Sequence, residues 1–248
     1  MKRILTTLSE KWPEYLIEAV VIVASILGAY ALDNWNENRK ERELEQNYYC
    51  RLLEDVHQDE KRLTVERQLM TDRLAASNNL LADLLKPNPD PRAIITNFIG
   101  AIKGGNFAYT PTNAAFEDIK SSGNLNVLKN VDLKNQLSYY YSNSQRILDN
   151  ISANSIALDE IFYNHKNYRE IGLQFLLESK NAYDPALVDI SLLQDKFHFS
   201  QKTIDELIDD ALFFTSVNNR NLEHFLEYDK LINSVKPVLE SNCNNTIQ

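Results

Sequence analysis

The chain has 248 residues, 44% of them hydrophobic, and a formal net charge of -9. Its six glycines and seven prolines are too few for the many tight turns of an all-β or α/β fold. The acidic balance argues against a duplex nucleic-acid partner, because neutralising phosphates requires a surplus of Lys and Arg on one face. The composition therefore predicts an all-α protein that does not bind nucleic acid.

The first predicted element is an apolar helix over Tyr15 to Leu32, in which Glu18 is the only charged residue. This run is at the short end of what a hydrocarbon core of about 30 Å requires. Aromatic residues flank it where two interfacial belts would lie, namely Trp12, Tyr15, Tyr30 and Trp35. Trp12 and Trp35 would stand about 34 Å apart at the rise of an α-helix. The pattern predicts a transmembrane anchor over residues 15–35.

A cleaved secretory signal is the alternative interpretation of the same run. The chain opens with two basic residues, and Ala29-Tyr30-Ala31 has the small-x-small form of a cleavage site. However, the flank of residues 1–14 is long for a signal and contains two glutamates, and the residues from Asp33 onward continue a helical pattern without Pro or Gly. We therefore expect an uncleaved anchor whose helix runs on into water.

Small residues in the anchor mark a candidate helix-packing face. Ala24 with Gly28, and Ser25 with Ala29, form small-xxx-small pairs that let a second helix approach closely. Glu18 lies about one turn into the run, where a carboxylate costs a few kcal/mol unless it snorkels to the interface or finds a partner. Snorkelling is the simple explanation, and a packing face shared with Ser25 is the alternative. These residues point to a homo-oligomer or a membrane partner.

The distribution of basic residues leaves the orientation of the anchor open. Three Lys or Arg residues precede the run and four lie in the twenty residues after it, so the positive-inside count is nearly tied. A single span close to a free N-terminus favours a body outside the cytoplasm, and a cytoplasmic body is the alternative.

After the anchor, a helical bundle domain is predicted over residues 36–248, with long helices at about 36–86, 131–179 and 203–239. The first of these carries apolar residues at a spacing of three and four, namely Tyr49, Leu53, Val56, Leu63, Met70, Leu74, Leu81 and Leu84. Glu60, Arg67 and Ser77 interrupt this stripe. The interruptions favour a seam against helices of the same chain, with an intermolecular coiled coil as the alternative. An antiparallel bundle is the economical architecture.

Prolines and glycines predict where the shorter elements begin and end. Three prolines within 86–91 stop the first long helix and force a reversal. A short helix follows from Pro91 to about Lys103, ended by Gly104-Gly105. Thr110-Pro111 is expected to open the next helix and Gly123 to follow its end. Pro237 is expected to kink or end the last helix early.

No catalytic motif is present, so we predict no enzyme and no cofactor. The only E-x-x-H is Glu54 to His57, whereas a di-iron bundle needs two such motifs, so no metal site is predicted. Cys50 and Cys243 are expected to be ordinary thiols, with a single bridge as the alternative. Tyr139 to Tyr141 point in three directions on a helix, so at most two of them can share a face. Core packing is the expected role of those two, and an aromatic ligand platform is the alternative.

The anchor and the segments that follow it resemble a family of small bacterial membrane proteins of unknown function. Members pair an apolar helix bearing an early Glu, here Glu18, with an NNWNE-like segment, here 33–37, and a basic-acidic helix, here 39–42. Asp33 stands where the family has Asn. Residues 116–125 are similar to an internal turn of the family. The resemblance implies an uncleaved anchor in the bacterial inner membrane and brings no catalytic residues.

Two functions follow from these features. The first is a structural or interaction protein, in which a bundle fixed to the lipid bilayer meets a second copy or an envelope protein on the periplasmic side. The second is a sensor-like module whose bundle holds a small ligand and acts through a partner. A pocket lined by convergent polar groups would favour the second, and a solid core would favour the first.

Overall fold

The computed structural model describes residues 2–102, 110–165, 168–194 and 198–244, with side chains from residue 12 onward apart from residue 194. Over these residues the protein is all-α, as predicted. Its helices are α1 (Lys2–Leu84), α2 (Pro91–Ile102), α3 (Ala114–Ser121), α4 (Val131–Asn164), α5 (Leu173–Ser179), α6 (Ser191–Gln194) and α7 (Gln201–Asn244), with a 3₁₀ turn at Asn124–Asn126.

Helix α1 contains both the apolar run and the first long helix of the bundle without a break. We call residues 15–32 the apolar segment. The stretch after it, residues 33–42, is helical throughout, because it contains no residue that ends a helix. The expectation of one helix continuing past the apolar segment is confirmed.

Helix α7 runs antiparallel to α1 along almost the whole bundle. In the first half of α7, Asn218 donates a hydrogen bond to Ser77, far along α1, with 2.9 Å between Nδ2 and Oγ. Near its end, Cys243 is bonded to Cys50, at the start of the bundle portion of α1. The end of α7 therefore returns to the beginning of the bundle.

Helix α4 runs in the same direction as α1 and packs against α7. Lys129, just before α4, contacts Glu41 with 3.0 Å between Nζ and Oε2, and Tyr140 near its start bonds to Asp59. Helices α2 and α3 and the 3₁₀ turn together form a second path that runs opposite to α1. Neighbouring helices therefore alternate in direction, which confirms the antiparallel bundle.

The predicted stops are partly confirmed. The chain reverses between α1 and α2 as the prolines require, and Gly123 follows α3 with φ 73°, a conformation that glycine adopts without strain. Helix α3 begins at Ala114 and not at Thr110; side chains of α1 accept hydrogen bonds from the backbone amide of Thr112, before the helix, and from that of Ala115, in its first turn. Gly104-Gly105 lies outside the described residues.

Two long helices end at different places from those predicted. Helix α4 stops at Asn164 and not near 179, since His165 is extended and Gly172 has φ 85°. A side chain at Gly172 would also approach the carbonyl oxygen of Pro91 to 3.2 Å. Helix α7 passes through Pro237 to Asn244, because the buried Leu239 and the link at Cys243 hold its last turns on α1.

The buried apolar side chains form two clusters. The near core, on the side of the apolar segment, includes Leu52, Val56, Leu63, Met70, Phe116, Ile147, Phe225, Ile232 and Leu239. The far core includes Leu80, Leu84, Ile94, Phe98, Leu158, Phe175, Leu207 and Phe214. Three of the predicted stripe residues, Leu53, Leu74 and Leu81, are only half-buried.

Candidate functional site

The apolar segment has no cover from the rest of the described chain. Within that chain, α1 is the one helix long and apolar enough to cross a membrane, and none of its most apolar window is buried. The aromatic residues predicted as interfacial anchors are exposed as well, with 60% for Trp12, 51% for Tyr15, 70% for Tyr30 and 60% for Trp35. These side chains can meet only an environment outside the bundle.

The predicted helix-packing residues lie on this same uncovered surface, namely Glu18, Ala24, Ser25, Gly28 and Ala29. A Cβ added at Gly28 would meet no atom within 4 Å, so the single chain leaves open space there. Ser25 donates its hydroxyl to the carbonyl oxygen of Val21 at 2.7 Å, which satisfies the hydroxyl within the helix. The small-residue face is therefore available to a second helix.

A disulfide joins the end of α7 to α1 at the start of the bundle. Cys50 and Cys243 are bonded across a sequence separation of 193 residues, which corrects the expectation of two ordinary thiols. Gln46, one turn earlier, donates to the carbonyl oxygen of Cys243 at 3.1 Å. The last turn of α7 is thus fixed to the start of the bundle portion of α1, by the single bridge that the sequence offered as the alternative.

A buried carboxylate connects three helices a few turns further on. Asp59 of α1 is fully buried and accepts hydrogen bonds from Tyr140 at 2.8 Å, from Tyr228 at 2.7 Å and from the backbone amide of Thr112 at 2.8 Å. Hydrogen bonds accepted by a carboxylate are shorter and stronger than those between neutral groups. Asp59 therefore fixes α4, α7 and the start of the α3 region relative to α1.

A second carboxylate supports the same junction. Asp55, one turn before Asp59, accepts from the backbone amide of Ala115 at 2.9 Å and so caps the first turn of α3. Burial raises the pKa of Asp55, and the nearby Asp59 adds to the rise. Burial, and then Asp59, also raise the pKa of Tyr140, so its hydroxyl remains a donor. Sequence periodicity missed this junction, because it follows the spacing of apolar residues and Asp55 and Asp59 are not apolar.

The three consecutive tyrosines divide between this junction and solvent. Tyr140 and Tyr141 are buried, whereas Tyr139 is 62% exposed, which confirms that at most two share a face. Tyr141 stacks on Phe116 of α3, with ring centroids 4.3 Å apart and planes 13° apart. Core packing accounts for both buried rings.

A surface groove of about 490 Å³ lies beside this stack, between α3 and α4. Phe116 and Tyr141 form its apolar wall, and Ser138, Ser142 and Gln145 of α4 line it with polar groups. Lys120 and Glu117 on its α3 side form an ion pair at 2.9 Å. The groove is large enough for a small molecule but presents no isolated charge on the described side chains.

No three His, Cys, Asp or Glu side chains in the described part of the chain come together as metal ligands. His57 of the E-x-x-H pair lies 3.8 Å from Glu240 on α7. His165 bonds to Asp210 at 2.9 Å and contacts the ring of Phe98 edge-on. Both histidines thus make contacts between elements of the bundle.

The sequence matches a family described as a family of unknown function, DUF6090, over residues 18–184. This range begins inside the apolar segment and extends past α5, so it leaves out α7. No curated protein matches the chain, and no solved structure matches it.

Proposed function

The chain belongs to this family of unknown function, and from that premise we propose that it is a single-pass membrane protein whose bundle is a structural or interaction module of the bacterial envelope. The observation that carries the proposal is the uncovered apolar segment at the start of the helix that also builds the bundle. Its first partner is the lipid bilayer. The role is binding and positioning, without catalysis.

The energetics favour a membrane over water for the apolar segment. Burying one large apolar side chain is worth on the order of 1.5–3 kcal/mol, and the segment exposes nine of them, Leu16, Ile17, Val20, Val21, Ile22, Val23, Ile26, Leu27 and Leu32. A carboxylate such as Glu18 costs about 3 kcal/mol at the bilayer centre and less near an interface. The apolar gain exceeds that cost several-fold.

The disulfide supports a body on the oxidising side of the inner membrane. Disulfides persist in the periplasm and are rare in the cytoplasm, and Cys50 and Cys243 are bonded. The anchor in this proposal has its N-terminus in the cytoplasm and its bundle in the periplasm.

Membrane fractionation tests the anchor. We expect the full chain to stay with the membrane pellet after alkaline carbonate extraction, and the double variant Val21→Asp, Leu27→Asp to move to the supernatant. Val65→Asp, at an exposed position of α1 in the bundle, is the matched control and should stay in the pellet. Release of the wild-type chain by carbonate would contradict the proposal.

Association through the anchor is tested in the same membranes. We propose that a second copy packs on the small-residue face, so Ser25→Leu with Gly28→Leu should abolish dimer cross-linking. Val23→Leu, on the opposite face of the helix, is the control and should leave it unchanged. Equal cross-linking in all three proteins would remove this face as the cause of association.

A sensor-like role is the second candidate, favoured by the groove beside Phe116 and Tyr141. In that role the bundle would hold a neutral small molecule against the aromatic wall and signal through a partner. A thermal-shift screen of the full chain tests it: a compound that raises the midpoint for the wild type but not for Ser142→Trp, which fills the groove, would support this role. The absence of any such compound would favour the structural module.

A further inference from the structure

Buried polar side chains, with the half-buried Asn154, lie between the two cores of the bundle. On α1, Met70 belongs to the near core and Leu80 to the far core. Every long helix of the bundle contributes to the layer between them. We call the following residues the polar layer: Arg73 and Ser77 of α1, Asn154 and Ser155 of α4, and Asn218 and Asn221 of α7.

Hydrogen bonds link the polar layer across the helices. Asn218 donates to Ser77 at 2.9 Å and to the carbonyl oxygen of Ala101, in α2, also at 2.9 Å. Asn154 of α4 donates to the side-chain oxygen of Asn221 in α7 at 2.7 Å. Side chains of α1, α4 and α7 and a backbone carbonyl of α2 therefore take part in the polar layer.

Several polar atoms of this layer have no partner within the described protein. They are Ser155 Oγ, Asn218 Oδ1 and Asn221 Nδ2, on side chains that are 3%, 0% and 0% exposed. Buried polar atoms are almost always hydrogen-bonded, either to protein or to ordered water. Three such atoms on two neighbouring helices therefore favour a small partner that can both donate and accept.

The layer also contains a guanidinium group. Arg73 is 1% exposed, and burial lowers its pKa while the charges of Asp159 and Glu66 oppose that change. A cation in this position favours a polar surrounding over an apolar one. The polar layer thus contains a buried charged group as well as unsatisfied neutral groups.

We propose that the polar layer is a binding site for ordered internal water, and that the bundle opens there as two cooperative units, one around each core. Water can donate and accept, and a buried water makes about three hydrogen bonds to otherwise unsatisfied groups. Because polar groups and water join the cores, contacts within each core are stronger than contacts across the layer. This inference does not depend on the membrane anchor.

Hydrogen exchange with mass spectrometry on the full, disulfide-bonded chain in detergent tests the division. We expect amides of α7 around Phe214 and those around Ile232 to exchange with two different opening equilibria, at least about tenfold apart, as cooperative subunits of a fold do. A high-resolution crystal structure of the same protein should contain water bonded to Asn221 Nδ2 and Ser155 Oγ. A dry layer, or one common opening for both parts of α7, would overturn the proposal.

An apolar replacement of the layer sharpens the test. Asn221→Leu with Ser155→Ala removes two of the unsatisfied atoms, so the two opening equilibria should merge to within about twofold, as expected for one cooperative unit. Asn219→Leu is the control, because Asn219 lies two residues before Asn221 on the exposed side of α7. It should leave the two opening equilibria separate. If the double variant does not fold, the wild-type exchange and the crystallographic water still decide the matter. Separate openings in the folded double variant would overturn the role of the layer.

Discussion

The apolar segment and the bundle portion of α1 belong to one helix but have opposite surfaces. Between residues 15 and 32 every side chain is exposed, whatever its position around the helix. From Tyr48 onward, burial recurs every three or four residues. A helix that is apolar all round needs a surrounding apolar medium, whereas an apolar stripe needs one packed neighbour. Side-chain periodicity, and not backbone structure, separates the two regions.

The stretch between these regions, residues 33–47, belongs to neither. It is polar and mostly exposed, and its one aromatic residue, Trp35, has the guanidinium of Arg39 at 5.8 Å from its ring centroid. Arg39 also lies 3.8 Å from Glu43 one turn later. Local pairs of this kind support an isolated helix in water, so the stretch can connect the two regions without a break.

The largest expected effect comes from removing equivalent side chains in the two regions. Leu63→Ala, at a position that is 2% exposed, should lower the free energy of unfolding by about 2–5 kcal/mol, because it leaves a cavity in the near core. Leu27→Ala, at a position that is 61% exposed, should leave it unchanged. Chemical denaturation in detergent measures both. Equal losses would mean that the apolar segment packs on the bundle.

The disulfide is the next largest expected contribution. Cys50→Ser with Cys243→Ser should lower the free energy of unfolding by about 2–4 kcal/mol, since the bridge restricts the unfolded chain over a long loop. The wild type treated with reductant is the control and should match the double variant. Thermal unfolding that is unaffected by both treatments would show that the cysteines are not bonded in solution.

The Asp59 junction should respond to the loss of a single hydroxyl group. Tyr228→Phe removes one donor from the buried carboxylate and should lower the free energy of unfolding by about 1.5–3 kcal/mol. Tyr140→Phe removes the other phenolic hydroxyl and should lower the free energy of unfolding by a similar amount. Tyr139→Phe, at the exposed neighbour, is the control and should have no effect. A Tyr228→Phe variant as stable as the wild type would contradict the junction.

The smallest expected effect is a change of stability with pH at Asp55. Burial raises the folded-state pKa of Asp55, so protonated Asp55 favours the folded state. This contribution to the free energy of unfolding is full below the unfolded pKa of about 3.9 and is lost as pH rises through the folded pKa. Asp55→Asn keeps a side-chain oxygen that can accept from the backbone amide of Ala115. Because asparagine does not ionise, the variant does not lose this stability as the pH rises. Relative to the wild type, the variant should gain stability as the pH rises from acid to neutral.

Urea unfolding at several pH values measures this change. Asp149→Asn, on the exposed side of α4, is the control and should follow the wild type at each pH. A constant difference between Asp55→Asn and the wild type across the range would contradict a raised pKa at Asp55.

Local signals predicted much of the fold. The prolines between α1 and α2 and the glycine after α3 correctly predicted where helices end, because each acts on the backbone conformation of only a few neighbouring residues. The polar interruptions of the α1 stripe also proved informative. Glu60 contacts Lys236 at 2.8 Å, and Ser77 accepts from Asn218, so both polar residues face partners on α7.

Contacts between distant parts of the chain could not be predicted. Asp59 and Tyr228 are separated by 169 residues, and nothing near either residue in the sequence indicates the other. The same holds for Cys50 and Cys243. The end of α4 was misjudged because the helix predicted over 131–179 runs through Gly172, whereas the positive φ of this residue and its approach to Pro91 belong to the packing of α5 on α2.

The intact mass of the chain, extracted from membranes and alkylated without reduction, tests the central claim that one uncleaved helix anchors a disulfide-bonded bundle on the oxidising side. We expect a membrane-bound chain that retains the apolar segment and takes up no alkyl group, with two groups added only after reduction. A soluble chain that begins at Leu32, or a full-length chain alkylated at both cysteines without reduction, would contradict it.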